Sequence, residues 1–168
     1  MSERYAVVVG VDGSRESQAA LRFALVDAAR RGVGVRVVAV YVPPEYWALS
    51  YGLTVLPTLD ELDRDSEQLA RDAVAAVVEV EPRLGGVPIE LVTLPGPAAK
   101  ALIDQSRDAD LLVLGHRGRG AFKSAVLGSV GLHCVLHATC PVTIVRPEKV
   151  AATVGPAEDA RPVFVPIY

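Results

Sequence analysis

The sequence predicts a three-layer α/β/α domain built on a five-stranded parallel sheet, and three observations carry that expectation. Five short apolar segments alternate with four segments of helical periodicity, the pattern that right-handed strand–helix–strand crossovers produce. The strand segments are apolar at consecutive positions, as in strands covered by helices on both faces. The chain of 168 residues, 51 % hydrophobic and 22 % charged, suits one domain with a buried core.

Tyr5 to Val11 (YAVVVGV) is the first strand, β-branched and apolar throughout. Asp12-Gly13-Ser14 supplies a turn and an N-cap, and Ala20, Leu21, Ala24, Leu25 and Ala28 continue at helical spacing until Gly32. Val35 to Val42 is the second strand, closed by Pro43-Pro44, which cannot extend a ladder. A loop to Pro57 carries Tyr46, Trp47 and Tyr51, aromatic side chains suited equally to a flap and to ordinary packing. Thr58 followed by Glu61 predicts a capping box, and Leu59, Leu62, Leu69, Ala73, Ala76, Val77 and Val80 give one apolar helix face up to Pro82. Ile89 to Leu94 is the third strand. Pro97 suits the first position of a short helix carrying Ala98, Ala101, Leu102 and Ile103. Asp110 to Leu114 is the fourth strand, Ser129 to about Ala138 a helix, and Val142 to Val145 the fifth strand. Residues 1–147 therefore form the domain, and 148–168, ending in an apolar run, read as a tail.

Composition excludes several function classes. A formal net charge of −3 gives no broad basic surface for nucleic acid or for polybasic membrane attachment. Cys134 and Cys140 form no CxxC pair and build neither a disulfide framework nor a zinc ribbon, and the amino terminus lacks a secretory pattern, so a cytoplasmic protein is expected. Ser124 to Val145 has no charged residue and could match a bilayer in length, but Gly128, Gly131 and Pro141 favour a buried helix followed by a strand. His133 and His137 have metal-ligand spacing, yet no Glu follows His133 and Cys134 falls off the histidine face, so no metal site is expected there.

In such sheets ligands collect beyond the carboxyl ends of the strands where strand order reverses, which directs attention to the loops at Asp12 and Gly115. The second is glycine-rich. Gly115, Gly118 and Gly128 permit close approach of backbone to a phosphate, and a helix starting at Ser129 offers unpaired N–H donors and a favourable dipole. Ser129 can cap that helix or turn its hydroxyl to a phosphate oxygen, and Arg117, Arg119 and Lys123 add positive charge. General nucleotide motifs fail: Ala121 stands where a Walker loop needs lysine, and Lys123 replaces the last glycine of GxGxxG.

The spacing G-x2-G-x9-G-[ST], filled by Gly115, Gly118, Gly128 and Ser129, resembles the ATP-binding motif of the universal stress protein family. Val7 to Ser14 (VVVGVDGS) is similar to that family's opening strand with its acidic residue, and the likeness runs from about Tyr5 to Pro147. The resemblance implies strand order 3-2-1-4-5, homodimerisation through the last strand, and a regulatory stress-response module that holds ATP with Mg2+ or Mn2+ on the phosphates and answers to an unidentified protein partner. It implies that Val11 and Asp12 contact adenosine, that the Val40 backbone reads the adenine edge, and that Gly115, Gly118, Gly128, Ser129 and Val130 hold ribose and phosphates, with His116 and Arg117 lining the loop. Gly131 departs from the pattern, standing where many ATP-binding relatives have a polar residue. The resemblance thus leaves open a cyclic nucleotide in place of ATP; slow ATP hydrolysis, with His116, Asp12 and Arg117 as the available groups, and a flavodoxin-like FMN carrier are the other readings.

Overall fold

The computed structural model describes residues 5–44, 56–118 and 127–147. Five parallel strands lie in the order β3-β2-β1-β4-β5. They are β1 (Tyr5–Val11), β2 (Gly34–Tyr41), β3 (Ile89–Pro95), β4 (Leu111–Gly115) and β5 (Val142–Val145). The helices are α1 (Arg15–Arg31), α2 (Leu59–Val80), α3 (Ala98–Gln105) and α4 (Ser129–His137), and a 3₁₀ turn at Pro82–Gly86 follows α2. The predicted fold class is borne out, strand order included. The aromatic residues Tyr46, Trp47 and Tyr51, the cations Arg119 and Lys123, and the 148–168 segment lie outside the described residues.

Strand alternation splits the core into two layers. Val7, Val9 and Val11 of β1 with Val35, Val37 and Ala39 of β2 pack against Leu21, Leu25 and the alanines of α1, and against Ala70, Ala73 and Val77 of α2. Val8, Val38, Leu112 and Leu114 turn to the other side and meet Leu102 of α3 and Cys134 of α4. Burying a side chain the size of Leu21 or Leu112 stabilises by roughly 1.5–3 kcal/mol, so each layer alone outweighs any single surface contact.

Local signals set the helix ends. The Ser14 hydroxyl accepts the Ser17 N–H at the start of α1, and Gly32 closes it at φ 65°, a left-handed conformation suited to glycine. At α2 both halves of the capping box form: Thr58 Oγ1 accepts the Glu61 N–H at 3.2 Å and Glu61 Oε2 accepts the Thr58 N–H at 2.8 Å. The Thr58 N–H, first among the causes, holds the Glu61 carboxyl below its ordinary range. That share of the cap is therefore present at neutral pH and fades as pH falls through the lowered value. Thr58→Ala is expected to cost about 1 kcal/mol, read as a lower urea midpoint with an unchanged slope.

Two expectations are corrected. Pro97 is the N-cap of α3, not its first helical residue, with Ala98 opening the helix. The buried stripe of α2 is narrower than its sequence face: Ala70, Ala73 and Val77 are buried, whereas Leu59 and Val80 are 48 % and 79 % exposed. The stripe is mostly alanine, and the first and last residues of α2, Leu59 and Val80, lie outside it. Among the described residues no helix is long and apolar enough to cross a membrane.

Candidate functional site

The order reversal falls between β1 and β4, and the chain leaves both strands beside one cavity of about 340 Å³. Ligand pockets of roughly 300–1,000 Å³ are typical for small molecules. Nine of the ten residues singled out from sequence line it: Val11, Asp12, Val40, Gly115, Arg117, Gly118, Gly128, Ser129 and Val130. His116 is not among the lining residues. Its N–H donates to Val145 O at 2.9 Å, its carbonyl accepts from Gly128 N at 2.8 Å, and its Nδ1 is buried with no hydrogen-bond partner among the described residues.

Two glycines make the loop's path possible. A Cβ on Gly115 would stand 2.7 Å from the Glu16 carbonyl carbon and 2.8 Å from its oxygen, so the end of β4 rests directly on the backbone of α1. A Cβ on Gly118 would stand 2.6 Å from Asp12 Oδ2, which brings the glycine loop against the carboxylate of the other wall. Asp12 Oδ1 accepts the Ser14 N–H at 2.9 Å, so the turn before α1 fixes that side chain.

Helix α4 begins at the cavity. Its N-cap is Gly128, which has no side chain to offer, and the first intrahelical bond runs from Leu132 N to Gly128 O at 2.9 Å. By helix geometry the N–H groups of Ser129, Val130 and Gly131 have no intrahelical acceptor, and the dipole favours an anion there. Ser129 does not cap the helix. It is the first helical residue, exposed and among the residues that line the cavity. The rest of the lining is largely apolar, with Val38, Val40, Ala98, Leu102 and Leu114 among it. The cavity thus combines apolar walls, suited to an apolar group, with a helix N-terminus, suited to an anion.

Sequence reasoning did not identify Gly10, Ser17, Val38, Ala98, Leu102 and Leu114 as lining residues. Val38 was within reach, because it shares a strand face with Val40 two residues on. Leu102 and Ala98 are brought there by the placement of α3 over the sheet, which no local pattern encodes. The two histidines of α4 are exposed, with ring centroids 4.4 Å apart, and Cys134 faces the core, where burial pushes its thiol up to about 11.

The comparisons agree with the fold. Universal stress protein Rv2624c of Mycobacterium tuberculosis is 34 % identical over 143 residues, covering 83 % of this chain and 47 % of that protein. The chain spans about half the length of the curated relatives it matches. A universal stress protein solved in complex with cAMP superposes with a TM-score of 0.58 at 26 % identity, over 88 % of this chain and 100 % of that one. The universal stress protein of Archaeoglobus fulgidus in complex with dAMP shares the fold, with a TM-score of 0.55 at 23 % identity over 85 % and 98 % of the two chains. The family model described as the universal stress protein family matches residues 5–146, and the chain belongs to that family.

Proposed function

We propose that this protein is a regulatory nucleotide-binding module that holds ATP in the cleft between the ends of β1 and β4. The observation that carries the reading is the make-up of that one cavity, in which apolar side chains such as Val38, Val40 and Leu102 share the lining with a glycine loop and a helix N-terminus. Adenine fits against the apolar side chains. The phosphates fall at Gly128, Ser129 and Val130, within reach of Arg117, while Asp12 faces the ribose or the adenine edge. No three His, Cys, Asp or Glu side chains converge among the described residues, so Mg2+ or Mn2+ would ride on the phosphates themselves. His116, whose main chain bonds both Val145 of β5 and Gly128, supports the loop's shape.

The wider reading is of a cytoplasmic stress-response domain over residues 1–147 with a tail at 148–168, a homodimer through β5, and an unidentified protein partner. A cyclic nucleotide is the second reading. Its support is the solved relative in complex with cAMP together with Gly131, which lines the cavity without adding a polar side chain.

Calorimetric titration of ATP and cAMP, each with and without magnesium, decides between them. Asp12→Ala is expected to weaken nucleotide binding roughly tenfold while the protein stays folded, the loss of one hydrogen bond to a charged group. Heat with neither nucleotide over a broad concentration range overturns the reading and leaves a domain that works through protein contacts.

A further inference from the structure

The cavity contains a buried hydroxyl that the glycine motif does not include. Ser17, on the first turn of α1, is 5 % exposed. Its Oγ donates to the Ser14 carbonyl at 3.0 Å and accepts the Asp12 N–H at 3.3 Å. Its own N–H donates to Ser14 Oγ at 3.1 Å, and the Ser14 N–H donates to Asp12 Oδ1 at 2.9 Å. The three residues close a ring of bonds: Asp12 carboxylate to Ser14, Ser14 to Ser17, and Ser17 back to the Asp12 main chain.

The place of this ring in the sheet gives it its importance. Pairing of β1 with β2 ends at Val11 opposite Ala39, and pairing with β4 ends at Val9 opposite Val113. Asp12 is therefore the first residue beyond both ladders, where strand register no longer fixes the main chain. A hydroxyl has one proton to donate and two acceptor positions. With its proton engaged by Ser14, Ser17 has none to offer a ligand unless the ring opens, so its influence passes through Asp12.

We propose that Ser17 is the positioning residue of the site: its hydroxyl holds the Asp12 main chain and the first turn of α1 so that the Asp12 carboxylate stands against Gly118. This rests on the nucleotide reading above. A small side chain at this position serves packing alone; the two hydrogen bonds at Oγ require a hydroxyl.

The test is a double-mutant cycle in ATP affinity, read by calorimetry on the full chain, with thermal unfolding as a check on folding. Ser17→Ala is expected to raise the Kd about tenfold, and Ser17→Thr, which keeps the hydroxyl, to stay within about threefold of the parent. In an Asp12→Ala background Ser17→Ala is expected to change the Kd by less than about twofold, because the group it positions is gone. Ser17→Cys, of similar size and weaker in both bonds, replaces the alanine variant if that one does not fold. Parent-like affinity in Ser17→Ala overturns the proposal, as does an equal loss with and without the Asp12 carboxylate, the mark of a packing effect. Absence of any nucleotide binding by the parent protein instead overturns the reading on which the proposal rests.

Discussion

Gly118→Val is expected to raise the Kd for ATP about a hundredfold while the chain keeps its fold. A Cβ at this position would stand 2.6 Å from Asp12 Oδ2, far inside ordinary contact, and the valine methyls extend further. Gly118 is exposed and its φ is not positive, so the backbone accepts a side chain without strain. The displacement therefore falls on Asp12. Its carboxylate swings away, the bond from the Ser14 N–H lengthens, and both walls of the cleft lose their shape together. Calorimetry of the variant beside thermal unfolding of the ligand-free protein checks the separation of the two effects. Unchanged affinity would mean that the loop and Asp12 do not share a ligand.

Gly115→Val has the opposite signature and is expected to cost stability in the absence of any ligand. Here the close approach is to backbone, since Glu16 C, O and Cβ would all lie within 2.9 Å of the added Cβ. A main chain in the first turn of a helix cannot rotate aside as a carboxylate can, so α1 must shift off the sheet or β4 must withdraw from β1. Overpacking of this kind costs about 3 kcal/mol, a fall in Tm of roughly 10 °C for a domain of this size. Circular dichroism melting measures it. A Tm within a degree or two of the parent would show that α1 slides over the sheet at little cost, and the tight contact would lose its structural meaning.

The contrast between these glycines illustrates how much of the site could be read from the sequence. The spacing of Gly115, Gly118, Gly128 and Ser129 marks a loop bent close to something, and the structure supplies two different somethings: a helix backbone and a carboxylate. The strands were legible because Tyr5 to Val11 and Leu111 to Leu114 are apolar at consecutive positions, which only a doubly covered strand tolerates. The capping box at Thr58 was legible because its partners are three residues apart. The buried face of α2 was not, since Ala76 and Val80 follow the same apolar helical pattern as Ala73 and Val77 yet are exposed, and only the packed layer decides which side of the pattern is covered. Ser17 was hidden for a related reason. A serine in a helix's first turn is unremarkable by itself, and its meaning comes from Asp12 lying beyond the ends of both ladders. Pro97 was misplaced by one residue because its ring is compatible with the cap as well as with the first helical position.

The pairing of β1 with β4 also imposes an order in time. Val7 meets Leu111 and Val9 meets Val113, partners about a hundred residues apart, while β2 and β3 reach their places sooner in the chain. During synthesis, which runs from the amino end, β1 can pair with β2, and β2 with β3, while the other edge of β1 stands bare, a template for unwanted strands until β4 emerges. Asp12 waits through that interval without the loop that faces it. A molecule that touches both walls of the cleft would meet the chain only after β4 had paired with β1, and so would select copies in which that distant pairing is made.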